Sequence, residues 1–484
     1  MWIYRWKQIG LYIFNFHHSL VFNIMFDLVI KDGNVVTADG VFKADIAVDD
    51  GKIVQLARKI EEHSEKVIDA SGLLVLPGGI DGHTHFQLNY NGVMTADDFY
   101  TGTVAAAFGG ITTVIDFVTP SSKSYIDEFL MRRGEAEGRA VVDFGLHFIV
   151  TDVSEERLKD LEVLAREYGV SSFKIFTAYR RRGLMLDDGS ILELMKLCRA
   201  LGALLLVHCE NEEMINRLVD RYLSKGCVGP EYHALSRPAY VEAEAVRRVG
   251  FMAGLAGCRV LVVHLSSGQG LEAVKELKRS GVRMYVETCP HYLVFSDEVY
   301  RRPDGAKFIM SPPLKGVEDR RMLWEGVSKG VIDVVGSDHA CFNSEQKLRP
   351  SRFTEIPGGV AGVEHIIPVL YTLGVRRGLI GLADLVRLTS YNPARIYGLY
   401  PSKGTLMPGS QADIVIFNPS LRIRLTRENL HSNLDHSIYE DITAEGHIQH
   451  TIVRGELVVE DRQFVGRRGH GKYIQRQTEN PPTI

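Results

Sequence analysis

At 484 residues the chain can bury a large core and is too long for one small domain. Its 45% hydrophobic and 24% charged residues are ordinary for a globular protein, and a net charge of -4 without a basic block argues against nucleic acid as a partner. The six cysteines are scattered with no CxxC pair, which fits reduced thiols in a cytoplasmic enzyme better than a disulfide framework.

In chain order, the first oddity is the start. Gln8 to Phe26 carries no Asp, Glu, Lys or Arg and follows Arg5 and Lys7, the outline of a signal or membrane anchor. Gln8, Asn15, His17, His18, Ser19 and Asn23 interrupt that run, and no small-residue cleavage site follows it. Residues 1–25 are therefore read as an extension or mis-assigned start, with Met25 as the true beginning and no membrane partner. From 26 to 75, short alternating runs such as Asp27-Leu28-Val29-Ile30 are separated by DG turns, as in a small antiparallel β unit. The same texture returns over 401–465, in Ala412-Asp413-Ile414-Val415-Ile416-Phe417 and Thr451-Ile452-Val453. The two ends are expected to pair into one discontinuous β domain, a small sandwich. Residues 466–484 are polar and read as an arm or a disordered tail.

Over 76–400 the pattern becomes strand, helix, strand, helix. Apolar strand candidates fall at 73–77, 112–118, 142–150, 171–177, 203–208, 259–265, 283–288 and 331–336. Helical stretches such as Ser154–Tyr168 and Ile191–Leu201 lie between them. Eight such alternations predict a (β/α)8 TIM barrel, an α/β fold. The connection from Asn211 to about Pro238 is long enough for a lid or an oligomer contact.

Chemistry in such a barrel gathers at the carboxyl ends of the strands. His83 and His85, two residues apart on extended backbone, leave one face together and suit a transition metal such as zinc. Strand four carries Lys174 among apolar neighbours, strands five and six end in His208 and His264, and strand eight ends in Asp338. A lysine in an apolar strand should be neutral, paired or modified. A neutral amine can add CO2 to become a carbamate, an anion able to bridge two metal ions. Two divalent cations facing a carbamate, an aspartate and a bridging hydroxide keep a net charge of about +1, enough to polarise a carbonyl. Such a hydroxide would be the nucleophile, Asp338 the proton shuttle and Tyr179 a donor to the oxyanion.

Gly79-Ile80-Asp81-Gly82-His83-Thr84-His85, Asp97-Asp98-Phe99-Tyr100-Thr101-Gly102-Thr103, Phe173-Lys174-Ile175-Phe176, Val207-His208-Cys209-Glu210-Asn211, Glu287-Thr288-Cys289-Pro290-His291 and Gly336-Ser337-Asp338-His339 complete the picture. Across roughly residues 26–460 they resemble the hydantoinase and dihydropyrimidinase group of the cyclic amidohydrolases. The resemblance implies two zinc ions, one held by His83, His85, carboxylated Lys174 and Asp338, the other by Lys174, His208 and His264. It implies that Tyr179, Ser311 and a main-chain group at Gly358 contact a cyclic imide, and that the protein forms a homo-oligomer, a tetramer. The family usually has Ile-Pro-Asn-Gly where this chain reads Ile356-Pro357-Gly358-Gly359. The implied reaction opens a 5,6-dihydropyrimidine or 5-substituted hydantoin to an N-carbamoyl amino acid. Allantoinase and a non-enzymatic scaffold of the same fold are the alternatives. A dihydroorotase typically has arginine two residues after the second metal histidine, where this chain has Gln87.

Overall fold

The computed structural model describes residues 25–121 and 123–479, so the reading of residues 1–24 lies outside the described residues. Eight parallel strands form the central sheet: Gly79–Thr84, Ile111–Val118, Asp143–Ile149, Ser172–Phe176, Leu204–His208, Arg259–Val262, Met284–Thr288 and Val334–Val335. Each pairs with the next, and a bridge from Thr84 to His339 brings the last beside the first, closing the barrel. These strands are buried on both faces, which is why they read as unbroken apolar runs instead of alternations. Helices Glu155–Glu167, Asp188–Leu201, Gly268–Arg279 and Val317–Ser328 belong to the surrounding ring. The side chains of Asp187 and Ser267 start two of them by accepting from the N–H groups of Ser190 and Gly270.

The run 73–77 does not begin the barrel. Leu74–Pro77 pairs instead with Met25–Val36 and Ile414–Arg424 in a nine-stranded mixed sheet. Gly78 divides it from Gly79–Thr84, and a Cβ there would collide with the Thr112 side chain. Hydrophobic periodicity marks both segments as buried strands but does not say which sheet each joins. The mixed sheet collects strands from both chain ends, including Val41–Asp49 and Lys52–Ala57 from the first and Thr443–Val453 and Glu456–Glu460 from the second. Ile30, Ile46, Ile53, Ile414 and Ile452 share its core.

The tail is neither loose nor disordered over its described part. Lys472 accepts from the Phe144 N–H (2.9 Å), and the N–H groups of Arg476 and Glu479 donate to Gly169 (3.0 Å) and Gly202 (3.1 Å). It therefore runs under the amino ends of the barrel strands. Arg476 enters the barrel floor, donating to Ser172 Oγ (2.7 Å) and the Leu146 carbonyl (2.5 Å). A polar composition is compatible with this seat because main-chain bonds hold it and two of the guanidinium nitrogens find buried acceptors. Buried Lys403 links barrel and sheet, 2.8 Å from Asp143 Oδ2 and also bonded to Asp413. Among the described residues, no helix is long and apolar enough to cross a membrane.

Candidate active site

The carboxyl ends of the strands deliver the residues read from the sequence to one place. His83, His85, Lys174, His208, His264, Asp338, Tyr179, Ser311 and Gly358 all line a cavity of about 370 Å³. Asp81, inside the first strand, accepts from the backbone N–H groups of His83 (3.1 Å) and Ser337 (3.1 Å), and from the Ser337 hydroxyl. It thus fixes the exits of strands one and eight against each other. Burial raises its pKa to about 6, against the lowering effect of those bonds.

His83 Nε2 and His85 Nε2 each lie 3.2 Å from the same oxygen, Asp338 Oδ1. His83 Nδ1 is 2.6 Å from Glu287 Oε1, a contact that fixes the ring and turns its Nε2 toward the Asp338 carboxylate. Two electron-rich atoms at that spacing are complementary to a cation. On the other side of the cavity, His208 Nε2 donates to Glu210 Oε2 (2.9 Å), leaving His208 Nδ1 directed at His264 Nε2, 3.0 Å away. Arg237 holds the same Glu210 oxygen at 2.5 Å. Burial alone would raise the Glu210 pKa, but Arg237 and His208 hold it at about 2. Burial likewise opposes ionisation of Asp338, and the imidazoles of His83, His264 and His85 outweigh it, keeping Asp338 well below the carboxylate range.

Lys174 lies on strand four, 1% exposed, with its Nζ 5.4 Å and 5.2 Å from the ring centres of Phe117 and Phe176. Burial lowers its pKa to about 8, so about a tenth of the amine is neutral at pH 7, far more than for an exposed lysine. That is the chemistry carbamate formation requires. A donor set of four imidazoles, a carboxylate and an amine of this kind fits divalent metal, and His83, His85 and Asp338 already bring their ligand atoms within 4.8 Å of one another.

Tyr179, His264 and Asp338 have φ of 73°, 40° and 48°, a conformation side chains of this kind rarely adopt. At these three positions the strained backbone carries side chains that line the cavity. Glu212 Oε2 holds the Tyr179 N–H at 2.7 Å, and burial keeps the phenol protonated. Ser311 Oγ is 3.4 Å from His233 Nε2, which donates to the Met310 carbonyl at 2.8 Å. A Cβ at Gly358 would meet Ser311 Oγ at an ordinary 3.6 Å, so glycine here widens the cavity and is not forced by crowding.

Several contributors escape a reading of the sequence. Glu287 is a lone acid in an apolar strand, the same signal that marks Lys174. His233 and Arg237 sit in the long connection, whose helices Glu212–Leu223 and Glu231–Leu235 give no hint of inward side chains. Lys347 reads as a surface lysine, yet its buried Nζ donates to Ile309 (2.6 Å) and Pro357 (2.7 Å), bracing the segments that carry Ser311 and Gly358. His147 is packed, its Nδ1 2.6 Å from Ser172 Oγ and Nε2 3.0 Å from the Gly82 carbonyl. All six cysteines are free, and burial pushes the Cys209 thiol up, away from a nucleophilic role.

The model of the amidohydrolase family matches residues 74–458. The chain belongs to that family. Within it the chain groups with hydantoinases and dihydropyrimidinases. It is 38% identical to the D-hydantoinase of Geobacillus stearothermophilus over 453 residues, 93% of this chain and 96% of that one. It is 39% identical to the D-phenylhydantoinase of Escherichia coli O1:K1 over 463 residues, 94% of this chain and 100% of the relative. The crystal structure of dihydropyrimidinase from Brevibacillus agri NCHU1002 superposes with a TM-score of 0.92 at 37% identity, covering 94% of this chain and 99% of that one. This amidohydrolase therefore shares its barrel and attached β domain with enzymes of that branch.

Proposed function

We propose that this amidohydrolase opens the ring amide of 5,6-dihydropyrimidines or 5-substituted hydantoins, yielding N-carbamoyl amino acids. The observation that carries the reading is the convergence of four imidazoles, Asp338 and buried Lys174 in one cavity beside a protonated phenol. His83, His85, Asp338 and carboxylated Lys174 would hold one zinc ion, and Lys174, His208 and His264 the other. The ions, when bound, supply Lewis acidity toward the ring carbonyl and a water acidified toward neutral pH. Asp338 rests ionised, so its carboxylate takes the proton released during attack and passes it to the leaving ring nitrogen. The Tyr179 phenol donates to the carbonyl oxygen as charge builds there. Ser311 Oγ and the main chain at Gly358 orient the imide edge. Gln87 does not line the cavity, so position 87 offers a substrate carboxylate no partner. A homotetramer belongs to the same proposal; helix Ala239–Ala256 leaves Phe251 66% and Leu255 64% exposed.

The test is a ring-opening assay of zinc-loaded protein on dihydrouracil, hydantoin, 5-phenylhydantoin, allantoin and dihydroorotate side by side. Hydrolysis of the first three with little of the last two supports the proposal. Silence on all five with zinc bound would move the function elsewhere.

A further inference from the structure

The wall of the cavity away from the metal ligands carries a charge that the proposed reaction does not use. Of the lining residues, only the four histidines, Lys174, Asp338 and Arg182 are titratable in the acid–base range or permanently charged, tyrosines aside. Once the first six are committed to metal, Arg182 is the remaining charge. It is half-buried, with its guanidinium carbon 4.2 Å from the centre of the Tyr90 ring and 5.2 Å from that of Tyr179. Its neighbour Arg180 pairs with Glu213 at 3.3 Å, whereas Arg182 forms no ion pair among the described residues.

Two aromatic rings within cation–π reach restrain a guanidinium without consuming its N–H groups, which stay available to a ligand. A planar carboxylate is the partner that such a fork fits, through two parallel bonds. Asn89 and Asn91, which flank Tyr90, also line this wall and add polar groups in place of an apolar surface. We infer that Arg182 is a specificity-determining residue that selects ring substituents ending in a carboxylate. This rests on the cyclic-imide reading above and narrows its substrate class to hydantoins or dihydropyrimidines bearing a carboxyalkyl arm.

The experiment compares hydantoin-5-propionate with its uncharged amide, hydantoin-5-propionamide, on the zinc-loaded full chain and on Arg182→Gln and Arg182→Lys. Taking the ratio of kcat/KM for the pair on each protein cancels differences in folding or metal loading. A charge-assisted bond at a partly buried site is worth roughly tenfold to a hundredfold in discrimination. The wild type should favour the carboxylate by that factor, mainly through KM, Arg182→Lys should keep part of it, and Arg182→Gln should bring the ratio near one. Calorimetry with N-carbamoylglutamate and N-carbamoylglutamine reads the same preference without turnover. Opening of hydantoin itself with no carboxylate preference, or an unchanged ratio in Arg182→Gln, would overturn this inference and leave the ring-opening function standing. No opening of any cyclic imide, with no preference between the two carbamoyl amino acids, would overturn both.

Discussion

Glu287 is the residue whose removal has the most readable consequence. Its Oε1 accepts from His83 Nδ1 at 2.6 Å and from the His264 N–H at 3.1 Å, and its Oε2 lies 3.4 Å from the Tyr397 hydroxyl. One buried carboxylate therefore orients a ligand of each proposed metal ion. Glu287→Gln preserves volume and one acceptor but removes the charge, so a charge-assisted bond becomes a neutral one, a loss of about 1–2 kcal/mol. If that loss falls on the metal-competent orientation of His83, zinc affinity drops roughly tenfold, within the range typical of groups behind metal ligands. Glu287→Ala also strands three buried groups, His83 Nδ1, the His264 N–H and the Tyr397 hydroxyl, and should cost fold stability as well. The assay is competition of apo-protein against a chromophoric chelator, with thermal unfolding of the apo-proteins as the control for folding. Zinc binding by Glu287→Gln within twofold of wild type would refute the argument that this contact sets the imidazole.

Other expectations follow from the same geometry. Tyr179→Phe removes the donor to the developing oxyanion and should lower kcat about a hundredfold or more while KM changes little. Comparable losses in an uncharged control variant distant from the cavity would discount it. Lys347→Met removes the brace on the Ile309 and Pro357 carbonyls and should raise KM severalfold with zinc content unchanged; steady-state kinetics on metal-analysed samples decide this. Asp97 gives a pH signature: burial opposes its ionisation, but His339 (3.0 Å) and the Asn433 N–H (2.7 Å) hold its pKa at about 2. A folded pKa below the unfolded value of about 3.9 stabilises the native state above that value, by about 2 kcal/mol, and the gain fades as pH falls toward about 2. Urea unfolding of wild type and Asp97→Asn should therefore show a stability gap that is flat above about pH 5 and narrows below about pH 4. A gap independent of pH would contradict the assignment.

The barrel was legible because seven of its strands are apolar runs buried on both faces, with a turn or helix signal after each. The first was misplaced because Leu74–Pro77 and Gly79–Thr84 are both buried and only Gly78 separates them. Pairing partners, unlike burial, leave no local trace in sequence. His208, His264 and Asp338 were legible because each closes an apolar strand, where a polar residue has no packing reason to be. Glu287 has that same signature one residue before its strand ends, while the contacts of Glu210 and Arg237 depend on how the long connection folds back. Lys347 lies in the short helix Ser344–Leu348 and Arg182 in the single turn Arg180–Arg182, both in polar sequence where a cation ordinarily means solvent. Their inward placement is a tertiary fact. The tail was read as an arm or as disorder, and its described part is an arm whose Arg476 donates to Ser172 and the Leu146 carbonyl, contacts that composition does not reveal.

The central claim is that Lys174 joins two metal ions into one hydrolytic centre. Its most direct test is zinc content by mass spectrometry of wild type and Lys174→Ala, with dihydrouracil opening measured on the same samples. Wild type should hold two ions per chain, and Lys174→Ala should lose most of the metal together with the activity. A Lys174→Ala protein that keeps both ions and the full rate would contradict it.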